Sequence, residues 1–243
     1  MILPPVSKEK IIVALDVETA AEARDIINEL REEVGAFKIG LQLFTSEGAS
    51  FVRETIRQDV KIFLDVKFHD IPNTVAKAAV EVARLGVWMF NIHACGGSEM
   101  MRKTVESVDE ICEKENLRRP KIIGVTVLTS SNQETLLEAG IEKEIKSQVL
   151  SLAQLTAKCG LDGVVASADE TREIRANVER EDFLIVTPGI RPAFATNDDQ
   201  KRVMTPKDAV NAGSDYLVIG RPILRAENRV QAVREILKEI ETA

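Results

Sequence analysis

Eight short apolar runs, each followed by a helix-patterned segment, limit what this chain can fold into. The runs are Ile11–Leu15, Ala36–Ile39, Lys61–Val66, Trp88–Ile92, Lys121–Val127, Gly163–Ala166, Phe183–Val186 and Tyr216–Ile219. Continuous apolar runs of this length suit strands buried on both faces. Helical patterns lie between them at Ala20–Glu33, Phe44–Arg57, Thr74–Leu85, Glu99–Lys114, Ile145–Lys158, Asp169–Asn177, Pro206–Ala212 and Arg229–Glu239. In the first, Ala23, Ile26, Ile27 and Leu30 form an apolar stripe along one helix face. Strand–helix repetition predicts a parallel sheet. Eight such units in 243 residues match a (β/α)8 barrel, one domain spanning residues 1–243. An open doubly wound sheet is the alternative, but no G-x-G-x-x-G follows the first strand.

In a barrel of this kind the chemistry gathers where the strands end. The two long connections, Ser130–Glu144 and Gly189–Arg202, both fall on that face, and long loops in a compact domain are usually functional. The strand tips carry Asp16, Lys38, Asp65 with Lys67, His93, Thr129, Ser167, Arg191 and Gly220-Arg221. Alternation along a strand points Asp65 and Lys67 the same way. Pro72 bars a central strand and suits a first helical turn, which leaves Asp70 in the short loop between. Two acids and an amine at one strand tip are costly unless paired or used. A structural ion pair would explain Asp65 and Lys67 alone, and His93 alone could be a satisfied core histidine. Their joint occurrence around one mouth favours a site. Flanking acids stabilise the charged amine, which disfavours a Schiff-base nucleophile and suits a cationic proton donor.

Gly220-Arg221-Pro222 follows the eighth strand, where barrels commonly hold phosphate. Glycine admits an anion close to the backbone, and arginine offers a planar donor fork. Arg191 and Gln200 in the loop after the seventh strand could close over the same anion as a lid. Two histidines cannot build a three-histidine zinc site. Asp16, Asp65 and Asp70 could hold magnesium, but Lys38 and Lys67 already neutralise them. A formal charge of −7 argues against a broad nucleic-acid-binding face. No apolar run approaches the length of a membrane span, and Met1–Lys10 has no signal-peptide core. Cys95, Cys112 and Cys159 lack C-x-x-C spacing, so buried free thiols and a cytoplasmic setting are expected.

From Ile11 to Ile223 the chain resembles the orotidine 5′-phosphate decarboxylase family. The most specific segment is Phe63-Leu64-Asp65-Val66-Lys67-Phe68-His69-Asp70-Ile71-Pro72-Asn73-Thr74. Val13-Ala14-Leu15-Asp16, Phe37-Lys38-Ile39-Gly40, Gly124–Ser130, Val186–Arg191 and Val218–Pro222 support it. The resemblance implies a homodimeric barrel that decarboxylates orotidine 5′-monophosphate without metal or organic cofactor. It implies Lys67 as proton donor, with Asp65, Lys38 and Asp70 completing a charge array. It further places Asp16 and Lys38 at the ribose and Thr129 at the pyrimidine. Arg191, Gln200, Gly220 and Arg221 would hold the phosphate, while Asp70 and Thr74 would enter the partner subunit's site. Two rival readings are a metal-dependent sugar-phosphate decarboxylase or aldolase on the same barrel, and a non-catalytic nucleotide-binding protein.

Overall fold

All eight apolar runs form strands, and the strands pair in chain order until the last closes on the first. They are β1 Ile11–Ala14, β2 Ala36–Gly40, β3 Ile62–Phe68, β4 Met89–His93, β5 Lys121–Val125, β6 Gly163–Val165, β7 Leu184–Pro188 and β8 Tyr216–Ile219. Every pairing is parallel, and Ile12 stands between Ala36 on one side and Val218 on the other. This computed structural model describes residues 7–194 and 204–242. Gln200 and part of the expected lid lie outside the described residues.

Alternation along each strand divides the apolar side chains into two cores. Ile12, Ala14, Ala36, Phe63, Met89, Ile123, Val186 and Val218 fill the barrel interior. The intervening residues, among them Ile11, Val13, Phe37, Ile39, Ile62, Leu64, Phe90 and Ile92, pack outward against helices. The interior set is a plug, not a channel, so the only places to build a site are the two ends.

The eight expected helices are present as α1 Ala20–Leu30, α2 Leu41–Ile56, α3 Pro72–Leu85, α4 Gly97–Glu115, α6 Ile145–Lys158, α7 Ala168–Asn177, α8 Pro206–Ala212 and α10 Arg229–Glu241. Their starts follow capping chemistry. Thr19, Thr205 and Asn228 accept from backbone amides in the first turns of α1, α8 and α10, and Ser167 with Glu170 forms a capping box on α7. Pro72 opens α3 as expected, and left-handed Gly86 ends it.

Two short helices were not expected. The loop read as Ser130–Glu144 contains α5 Gln133–Glu138, capped by Asn132, and α9 Arg221–Leu224 begins directly after β8. Each is too short to show a helical period. A third difference concerns Cys95, which is exposed in the turn after β4, whereas Cys112 and Cys159 are buried free thiols. Among the described residues, no helix is long and apolar enough to cross a membrane.

Candidate active site

The C-terminal ends of β1, β2 and β3 hold four charges of alternating sign. Asp16 Oδ1 lies 3.2 Å from Lys38 Nζ, which lies 3.2 Å from Asp65 Oδ2. Asp65 Oδ1 lies 2.7 Å from Lys67 Nζ. Side-chain exposure is 60% at Asp16 but only 11% at Lys38 and 12% at Asp65, then 29% at Lys67. The middle of the array is therefore out of water, where removing one charge strands its neighbours.

Burial and pairing oppose one another at the two inner groups. Burial alone would lower the basicity of Lys38, yet the carboxylates of Asp65 and Asp16 outweigh it and hold the ammonium above its ordinary pKa. Burial would likewise raise the Asp65 pKa. The charges of Lys38 and Lys67, with hydrogen bonds from Lys67 and Asn91, hold it below the ordinary value instead. Both groups stay ionised across the physiological range.

The way Asp65 and Lys67 meet differs from simple alternation. β3 and β4 run in register at Leu64↔Phe90, and the pairing resumes only at Phe68↔Ile92. Four steps on β3 thus span two on β4, a bulge that re-aims the intervening side chains. At its apex Lys67 adopts φ 52°, a left-handed conformation that costs a residue with a Cβ about 1–3 kcal/mol. The surroundings must hold it there. Asn91 supplies one restraint: its Oδ1 accepts from the Lys67 backbone N–H at 2.8 Å, and its Nδ2 donates to Asp65 Oδ1 at 2.6 Å. Sequence patterning did not single out Asn91, although an amide inside the apolar run Trp88–Ile92 was the available signal.

Lys38, Asp65 and Lys67 form one wall of a cavity of about 210 Å³. Phe63, Val186 and Val218 from the interior plug line it too, and Val127, Leu128, Thr129 and Ser130 complete it. A second cavity of about 110 Å³ shares Lys38, Asp65 and Lys67 and adds Asp16, Gly40 and Gln42. Gly40 keeps this space open, since a Cβ there would meet Lys38 Nζ at 3.0 Å. Thr129 stands partly exposed in the first cavity.

The anion-binding candidates share this rim. A Cβ on Gly220 would sit 3.4 Å from Asp16 Oδ2, so the Gly220-Arg221 element abuts the outer end of the array. Arg221 opens α9, and buried Arg191 is fixed by a backbone bond from its N–H to Met204 O at 3.0 Å. Asp70 and Thr74 are exposed at the start of α3, outside the chain of ion pairs, with Asp70 Oδ1 accepting from the Ile71 N–H. His93 is half-buried, its ring 5.4 Å from that of His69. Burial, then the His69 and Lys67 charges, lower its pKa, so it is neutral at pH 7. Among the described residues, no group of three or more His, Cys, Asp and Glu side chains could hold a metal ion. A larger, open depression of about 640 Å³ lies at the opposite end of the barrel, bordered by Lys10, Arg175, Arg180 and Asp215, away from all these groups.

Comparison with known proteins gives a consistent result. A family model described as orotidine 5′-phosphate decarboxylase / HUMPS family matches residues 9–236. An orotidine 5′-phosphate decarboxylase of Geobacter sulfurreducens is 53% identical over 234 residues, covering 96% of this chain and 97% of that protein. One of Geotalea uraniireducens is 51% identical over 234 residues, covering 96% of each. The crystal structure of orotidine 5′-phosphate decarboxylase from Lactobacillus acidophilus superposes with a TM-score of 0.83 at 36% identity, covering 95% of this chain and 98% of that one. An uncharacterized conserved protein from Geobacillus kaustophilus superposes with a TM-score of 0.81 at 33% identity, covering 95% and 99%.

Proposed function

The chain belongs to the orotidine 5′-phosphate decarboxylase / HUMPS family, and from that membership we propose that it converts orotidine 5′-monophosphate to UMP and CO2 in pyrimidine biosynthesis. The observation that carries the chemistry is the Lys67 ammonium, 2.7 Å from Asp65 on the wall of a partly apolar cavity.

Loss of CO2 leaves an electron pair on C6 of the pyrimidine with little delocalisation, so the barrier in water is very high. A cation already fixed beside C6 stabilises that charge as it forms, without solvent having to reorganise. Lys67 fills this role and then delivers the proton. Asp65 lies against the substrate carboxylate, and their repulsion relaxes as neutral CO2 departs. That contribution is secondary to stabilisation of the developing anion. Lys38 keeps Asp65 ionised and, with Asp16, meets the ribose hydroxyls. Thr129 hydrogen-bonds the pyrimidine. Arg191, Gln200, Gly220 and Arg221 hold the phosphate, whose binding energy drives loop closure over the ring. Asp70 and Thr74 complete the array of a second copy. Exposed Ile71, next to Asp70, and exposed Leu41 at the start of α2 support a homodimer contact at this rim.

The test is loss of the orotidine chromophore and release of CO2 on adding the substrate to purified protein. Turnover that survives exhaustive EDTA treatment is expected. Absence of turnover would overturn the proposal, and turnover abolished by EDTA would favour a metal-dependent rival of the same barrel.

A further inference from the structure

The bulge in β3 leaves the Lys67 N–H and the Asp65 carboxylate opposite a single residue of β4, Asn91. Asn91 is fully buried and lies on the barrel-facing side of its strand, in phase with Met89 of the interior plug. Its amide does two opposite things at once, accepting from Lys67 N at 2.8 Å and donating to Asp65 Oδ1 at 2.6 Å. Only one orientation of the amide allows both. The reversed orientation sets NH2 against N–H and oxygen against carboxylate. Asp65 Oδ1 is thereby shared between Asn91 Nδ2 and Lys67 Nζ, while Oδ2 faces Lys38.

We propose that Asn91 is a positioning residue that clamps the Lys67 backbone in its left-handed turn and the Asp65 carboxylate in the plane of the array. This assignment rests on the decarboxylase reading for its kinetic consequences, but the clamp itself belongs to the free protein. Asparagine is suited to the task because a short planar group must present a donor and an acceptor to neighbours on one strand. Leucine offers neither. Ionised aspartate offers only acceptors and adds a charge beside Asp65.

Two variants test this. Asn91→Ala is expected to lower kcat for orotidine 5′-monophosphate by about 10–100-fold, because small displacements of reacting groups cost that much. KM should move less than about threefold, since the ribose and phosphate contacts lie elsewhere. Asn91→Asp keeps the shape, so it remains informative if the alanine variant does not fold. The new carboxyl would face Asp65 and Lys67 on β3, Lys38 on β2 and His93 along its own strand. A carboxyl buried beside Asp65 takes up a proton more readily than a free one. Once protonated, it can donate to Asp65 and accept from Lys67 N. Activity of this variant relative to wild type should therefore rise as pH falls from about 8 to about 5. A flat ratio, or wild-type kcat in the alanine variant, would overturn the assignment. Crystals of ligand-free Asn91→Ala give a readout independent of turnover. The expected result is a Lys67 φ that leaves the left-handed region, or an Asp65–Lys67 pair beyond hydrogen-bond reach. An unchanged turn and pair would overturn the proposal even if the wild type proved inactive on this substrate.

Discussion

Both ends of the barrel carry buried or half-buried ion pairs, and the two sets are wired differently. At the N-terminal end, Arg175 donates to the Gly213 carbonyl through two nitrogens, at 2.9 and 2.8 Å. It also bonds the Phe183 carbonyl and pairs with Asp215, whose carboxylate accepts from Ile185 N at 2.7 Å. Arg119 and Asp162 repeat the scheme, with Asp162 accepting from Ile122 N at 2.6 Å. In both cases the charges bond to backbone and tie loops to strands. At the mouth, Lys38 and Lys67 pair with carboxylates and line a cavity. An ion pair that also holds backbone serves the fold. One held among side chains has no backbone group depending on it, so the bonding partners, and not a nearby cavity, distinguish the two sets.

Substitutions at the two ends should separate these roles. Lys67→Ala is expected to leave a folded protein and to lower kcat by about 10^5-fold, the product of typical losses for a general acid and for one electrostatic donor. Single-turnover kinetics with circular dichroism as a fold control would check it, and ordinary turnover would remove the proposed mechanism. Arg221→Ala should lower kcat/KM by about 10^3-fold, or roughly 4 kcal/mol, through loss of a phosphate contact. A near-wild-type value would reject that role.

Asp65→Asn leaves the Lys67 ammonium without its carboxylate and Lys38 with exposed Asp16 alone, and should reduce stability by about 3 kcal/mol near neutrality. Because folding lowers the Asp65 pKa from its ordinary value, its contribution is present above that value and is lost as pH falls through the folded-state pKa. Lys38, raised on folding, contributes below its ordinary pKa and loses that contribution as pH rises through the folded value. The stability gap between wild type and Asp65→Asn, measured by urea titration, should therefore be widest between these limits and shrink in acid. A gap independent of pH would contradict the assignment of charge. The smallest effect belongs to the other end. Arg175→Ala should cost about 2 kcal/mol by leaving carbonyls and Asp215 unpaired, with kcat unchanged. A large loss of activity there would erase the distinction drawn between the two ends.

The eightfold repeat was legible because each unit obeys local rules: an apolar run short enough for a strand, then a helical stripe with its own cap. Pro72 was legible for the same reason, as the first residue of α3. Asp65 and Lys67 were legible as a pair, but not the route by which they meet. A bulge arises from mismatch between neighbouring strands, and nothing in lysine itself asks for a positive φ. Asn91 lay in plain view as a polar residue in an apolar strand, yet its task depends on that same mismatch. Helix α5 escaped because six residues contain less than two turns.

The seam where β8 meets β1 runs beside Asp16 and Gly220, residues from opposite ends of the sequence. A chain without its eighth strand has seven strands with no closing partner for β1, and its rim lacks Gly220 and Arg221. Under the proposed reading, the phosphate contacts of Gly220 and Arg221 join the rim only when the ring is complete. A refolding experiment monitored by binding would time that final closure, whereas one monitored by helix content would record earlier events.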